Sequence, residues 1–89
     1  MKFLTAQEVL LTHRTLLHAF GGEEGVSHRG REHQGVLAIV GAVRNSYYET
    51  PQEFAAAYAI YIIAGHIFLD GNKRAAGGCM IAFLKKNGI

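Results

Sequence analysis

The sequence predicts an all-α fold: a small bundle of about four helices, with one central buried helix and a polar helix–loop–helix motif near its end. Three observations carry this. Two capping boxes, Thr5-Ala6-Gln7-Glu8 and Thr50-Pro51-Gln52-Glu53, mark helix starts, because the Thr oxygen and the Glu carboxylate satisfy each other's free amides. Apolar residues recur at helical spacing after both boxes. Gly21-Gly22 and Asn87-Gly88 stand where such runs end, as helix stops do.

The first helix begins at Thr5. Val9, His13, Leu16, Leu17 and Phe20 fall at helical spacing and give it one largely apolar face. Residues 23–30 read as a loop. A second helix runs from about residue 30 to Arg44, with Val36, Leu37, Ile39, Val40 and Val43 as its buried side. Gly35 and Gly41 lower its helicity by about 1 kcal/mol each relative to Ala. Residues 45–49 connect it onward, with Tyr47 and Tyr48 expected to cover a helix end rather than stack on a base.

The third helix starts at the second box, with Pro51 at its first position, where the missing N–H costs nothing. From Phe54 to Ile63 it is apolar nearly all round, which predicts the central helix. The last helix carries Met80, Ile81, Phe83 and Leu84. Gly77-Gly78 destabilises it by about 2 kcal/mol relative to Ala, and close helix packing is the expected reason. Lys85 and Lys86 complement its C-terminal dipole.

Composition narrows the function. Eighty-nine residues make one domain, 1–89, and 49% hydrophobic residues can build a core. No apolar stretch reaches membrane-spanning length, and the start turns polar too soon for a secretory leader. One cysteine, Cys79, excludes an intrachain disulfide, fits a reducing cytoplasm and reads as core. A net charge of +2, with Arg29, Arg31 and Arg44 scattered, does not indicate direct nucleic-acid binding. The pairs His13/His18 and His28/His33 are five apart, off the spacing of paired helical metal ligands, so they read as packed or surface residues.

The chemistry concentrates in His66-Ile67-Phe68-Leu69-Asp70-Gly71-Asn72-Lys73-Arg74, between two apolar helices. A helix's first turn has free amides and the positive dipole end, so it binds anions. Gly71 allows close backbone approach, and Asn72 can cap the helix or contact a ligand. Lys73 and Arg74 add charge, and Arg can grip phosphate two-pronged. Asp70 is a hard oxygen ligand suited to nucleotide-bound Mg²⁺, and His66 is the side chain suited to take a proton near neutral pH. These are parts for phosphoryl or nucleotidyl transfer. The alternative is an ordinary polar turn, with Lys73 and Arg74 solvated and His66 capping the preceding helix. A helix-turn-helix DNA binder is disfavoured, since the helix after Arg74 is apolar where a groove-entering helix should be polar.

This stretch resembles the signature of the Fic/Doc family: His, then Phe, an acidic residue and Gly-Asn-x-Arg. Lys73 makes it similar to the Doc, or death-on-curing, branch. The likeness extends to Leu4 through Phe20, Gly21-Gly22, Gly25-Val26-Ser27 and Phe83-Leu84-Lys85-Lys86-Asn87-Gly88. The resemblance implies His66 as general base, Asp70 as Mg²⁺ holder and acceptor guide, Gly71 and Asn72 as anion cradle, and Arg74 as phosphate ligand. Phe68 would be a wedge pinning the loop to the core. Lysine at 73, where nucleotidyl-transferring members carry glycine, implies transfer of the terminal phosphate of ATP or another NTP. The expected acceptor is a Ser or Thr hydroxyl of a protein, by resemblance a translation elongation factor. The expected setting is that of a cytoplasmic toxin restrained by an antitoxin peptide that folds on binding. Alternatives are nucleotidyl transfer and a shortened, non-catalytic binding module.

The sequence departs from the family pattern at three places. Doc-type chains usually carry an acidic residue at the position of His28. Some carry a basic residue at the position of Ala64. Related chains usually continue beyond the equivalent of Ile89 with a further helical segment, which raises the expectation of a shortened C-terminus.

Overall fold

Local capping sets two of the four helices among the described residues. In the computed structural model, which describes residues 1–23 and 34–89, α1 spans Ala6–Phe20 and α3 spans Pro51–Gly65. Both open with complete boxes: Thr5 with Glu8, and Thr50 with Glu53. α2 spans Gln34–Arg44 and α4 spans Asn72–Lys86. The expected start of α2 near residue 30 and the readings of Gly25-Val26-Ser27, His28 and His33 lie outside the described residues. No strand occurs among the described residues.

The helices form a ring. α1 packs on α4, α4 on α3, α3 on α2 and α2 on α1, while the diagonal pairs make no close backbone approach. Tyr58, Phe68 and Phe83 are the largest fully buried side chains. Each stabilises the fold by about 1.5–3 kcal/mol through apolar burial. Phe83 lies among the rings of Phe3, Phe54 and Tyr58. The leading residues are tied to α3 and to the end of α4. The Leu4 amide donates to the Tyr58 hydroxyl, Lys86 donates to the Phe3 carbonyl and Glu8, and Asn87 bonds both backbone atoms of Lys2. Cys79 is buried core, and desolvation pushes its thiol up to about 12, so it is inert at neutral pH.

Several expectations are corrected by packing. Leu37 points outward, 56% exposed, because Val36, Ile39 and Val43 already fill the inner side of α2. Phe20, at the end of α1, is 63% exposed rather than part of the apolar face. α3 buries Phe54, Ala55, Ala57, Tyr58 and Ile62, yet leaves Ile60 and Ile63 exposed, since only α2 and α4 flank it. Tyr48 does cover a helix end, edge-on to Phe54 at 6.2 Å, while Tyr47 stands clear. Gly78 explains itself: a Cβ there would come within 2.8 Å of Leu16 and Thr12, so glycine lets α4 seat on α1. Gly77 has open space around its missing Cβ, so close packing does not account for it.

Candidate functional site

The end of α3 presents His66. Its backbone is left-handed, φ 45 and ψ 54, and its amide closes on Ile63. No other described non-glycine residue has positive φ. A Cβ in that region costs about 1 kcal/mol, which marks a position where side-chain identity outweighs backbone comfort. The turn swings the chain sharply, so His66 stays exposed while Ile67 and Phe68 plunge into the core. Phe68 is the expected wedge, fully buried.

Asn72 closes the loop over that wedge. Its Nδ2 donates to the Phe68 carbonyl at 2.9 Å, and its Oδ1 accepts from the Phe68 amide at 3.0 Å. This differs from the helix-capping role that the sequence allows its side chain. The side chain does not cap α4; it braces the loop. The N-cap is Gly71, at φ 77, which glycine adopts freely.

The start of α4 is open. It has no side-chain cap hydrogen bond. Its first backbone bond runs from the Ala75 amide to the Gly71 carbonyl. The amides of Asn72, Lys73 and Arg74 precede that bond and have no acceptor within the helix, leaving donors at the positive dipole end.

Asp70 is held by backbone. Its Oδ1 accepts from the Gly71 amide at 2.8 Å, and its Oδ2 from the Glu23 amide at 3.3 Å. Gly22 makes the second contact possible, because a Cβ there would stand 3.0 Å from Oδ2 and 2.7 Å from Leu17. Among the described residues no group of three or more metal-ligating side chains forms a cage. An exposed carboxylate beside an open helix start suits a cation shared with a ligand's oxygens, as Mg²⁺ is with phosphates.

Arg74 rests on the end of α1. Its guanidinium lies 4.8 Å above the Phe20 ring, with Nη1 at 3.5 Å from the Phe20 carbonyl. The exposed aromatic and the negative helix end both favour a cation there. Lys73 is exposed beside it.

The six candidate site residues, His66, Asp70, Gly71, Asn72, Lys73 and Arg74, line one open cavity of about 590 Å³. Gly21, Gly22, Ile63 and Leu69 complete it. His66 and the open start of α4 therefore border the same cavity. Ala64 is exposed on the last turn of α3 and adds no cation.

Sequence reasoning read His13 as a packed or surface histidine and missed its partner. Its Nε2 lies 2.7 Å from the Asp70 carbonyl, and its ring stacks on Phe68 at 3.7 Å and 6°. The signal was present: His13 sits midway in the buried stripe Val9–His13–Leu17, where a polar ring needs a buried acceptor.

Comparison with known proteins agrees with this arrangement. The family model described as the Fic/DOC family matches residues 3–84. The chain is also similar to "Protein kinase doc" of Escherichia phage P1, with 34% identity over 93 aligned positions that cover all of this chain and 71% of that protein. The motif on its two helices and both likenesses lead to one conclusion: this chain belongs to the Fic/DOC family, on its Doc branch.

Proposed function

We propose that this chain is a Doc-type phosphotransferase, moving the terminal phosphate of Mg-ATP to a Ser or Thr hydroxyl of a protein. The observation that supports it is the shared cavity: His66 lines the same open cavity as Lys73, Arg74 and the uncapped start of α4. The printed name of the phage P1 relative supports the reaction class.

Each residue has a task. His66 takes the proton from the acceptor hydroxyl, whose oxygen bonds the terminal phosphorus as the bridging P–O bond breaks and the nucleoside diphosphate leaves. The first-turn amides and Arg74 hold phosphate oxygens; Arg74 reaches them by leaving the Phe20 ring. Asp70, fixed by the Gly71 and Glu23 amides, orients the acceptor and holds Mg²⁺. When bound, that ion neutralises charge on the phosphates. Lys73 adds bulk and charge where glycine would admit the opposite nucleotide orientation. By family resemblance the acceptor is a translation elongation factor, the biology that of a toxin, and the inhibitor an antitoxin peptide. The described helices include none long and apolar enough to cross a membrane.

Incubation of acceptor-containing lysate with ATP labelled at the γ or α phosphate tests the reading. Label from γ on a protein is expected; label from α instead overturns phosphotransfer in favour of nucleotidyl transfer. His66→Ala should reduce transfer by about 10²–10⁴-fold, the usual worth of a general base. An unchanged growth inhibition by His66→Ala would favour a non-catalytic binding module.

A further inference from the structure

We infer that His13 is a positioning residue for the site, holding the Asp70–Gly71 peptide in the one orientation that sets the Asp70 carboxylate; this rests on the function proposed above. A carbonyl oxygen can only accept, so the short contact to Asp70 requires His13 Nε2 to carry the proton and donate it. The imidazole is 5% exposed, so this bond is made away from competing water. The bond spans 57 positions of sequence and joins α1 to the motif loop.

The peptide plane transmits the effect. A trans peptide points its C=O and N–H in opposite directions. With the Asp70 carbonyl turned inward to His13, the Gly71 amide must turn away from it. That amide is the one that donates to Asp70 Oδ1 at 2.8 Å. Gly71, at φ 77 with no side chain to resist, does not fix this plane by itself. The other face of the imidazole's work is packing: it lies flat on Phe68, the wedge whose backbone Asn72 clasps on both sides. His13 thus grips the loop twice, through Phe68's ring and through Asp70's carbonyl. It lies outside the residues lining the cavity and acts through the loop it holds.

Two activities of the side chain can be separated by substitution. His13→Phe keeps a flat ring on Phe68 and removes the donor. His13→Gln loses the ring and keeps an N–H at comparable reach. His13→Met fills the space with neither. The full chain and these variants are compared by two readouts. One is the NMR position and hydrogen exchange of the Gly71 amide, which needs no nucleotide or acceptor. The other is the rate of γ-phosphate transfer from ATP to lysate protein, at saturating and limiting ATP.

His13→Phe should shift the Gly71 amide and speed its exchange. Its transfer at saturating ATP should fall about 100-fold, the scale of a misplaced catalytic group, with the KM for ATP changing less. His13→Gln should restore both readouts to within about tenfold of wild type, because the donor returns. A Phe variant with the wild-type Gly71 amide and rate overturns the inference. So does a Gln variant no better than Met, which would make the residue a packing element only. If the Phe variant does not fold, the Gln–Met pair decides by the same criterion. A wild-type chain that transfers no label defeats the proposed function instead, and the Gly71 amide still decides the role of His13.

Discussion

The beginnings of α1 and α3 differ from the beginning of α4 in one respect that organises the molecule. All three helices face the same problem of unpaired first-turn amides. At Thr5 and Thr50 the chain solves it internally, with a threonine oxygen on the third amide and a glutamate folded back on the cap. At Gly71 it does not, and Asn72, which could have served, is spent on Phe68 instead. The closed starts lie at chain turns and contribute stability. The open one lies in the cavity beside His66. Two of the described helix starts are closed from within and this one is left open, which is the seat the proposed phosphate would take.

Closing the open start is the strongest way to break this contrast. Gly71→Asp places a carboxylate beside the first turn of α4, in a left-handed position that Asp tolerates better than most residues. The site around the new Cβ has ordinary contacts, 3.4 Å to Leu17 and 3.6 Å to His13, so the fold should survive. ATP affinity should fall about 100-fold, on the scale of removing charge-assisted phosphate contacts, as read by calorimetry. Binding at wild-type strength would show that the nucleotide does not use this helix start.

Opening a closed start sharpens the comparison from the other side. Thr50→Ala removes the oxygen that accepts from the Glu53 amide. It should cost about 1 kcal/mol in denaturant unfolding while leaving γ-phosphate transfer by the folded protein unchanged. A loss of transfer without a loss of stability would show that this cap serves the site after all.

The smallest effect concerns the first capping box, because Glu8 is shared with Lys86 at 2.6 Å. The bond from Lys86, with help from the Thr5 amide, holds the Glu8 carboxyl below its ordinary value. A depressed folded value means the contribution is present above the unfolded glutamate range and is lost as pH falls through the folded value. The pair is partly exposed, so its worth is about 0.5 kcal/mol. Glu8→Gln should lower the midpoint of unfolding slightly at neutral pH and flatten its fall in acid. An acid response equal to wild type would assign that loss of stability elsewhere.

Much of the fold was legible because its signals are short-ranged. A capping box relates residues three apart, and Pro51 and the glycine stops act on their own backbone. The motif was legible for the same reason: His66 through Arg74 are contiguous, and a short loop between two helices leaves them little freedom to separate. Helical spacing also grouped Val9, His13 and Leu17 correctly. It erred at Leu37 and Phe20, because a periodic pattern says which residues share a side and not how wide that side is once neighbours are placed.

The sequence by itself determined the number of helices, where three of them start or stop, and which residues meet at the loop; each follows from interactions within a few positions of the chain. Only the tertiary structure decided that α4 would start uncapped, that Asn72 would turn back to Phe68, that Gly78 would admit α1 while Gly77 would face open space, and that His13 would hold Asp70 across 57 positions. Those outcomes depend on how one helix is rotated against another, an angle set by the packing of the whole ring and written in no single segment.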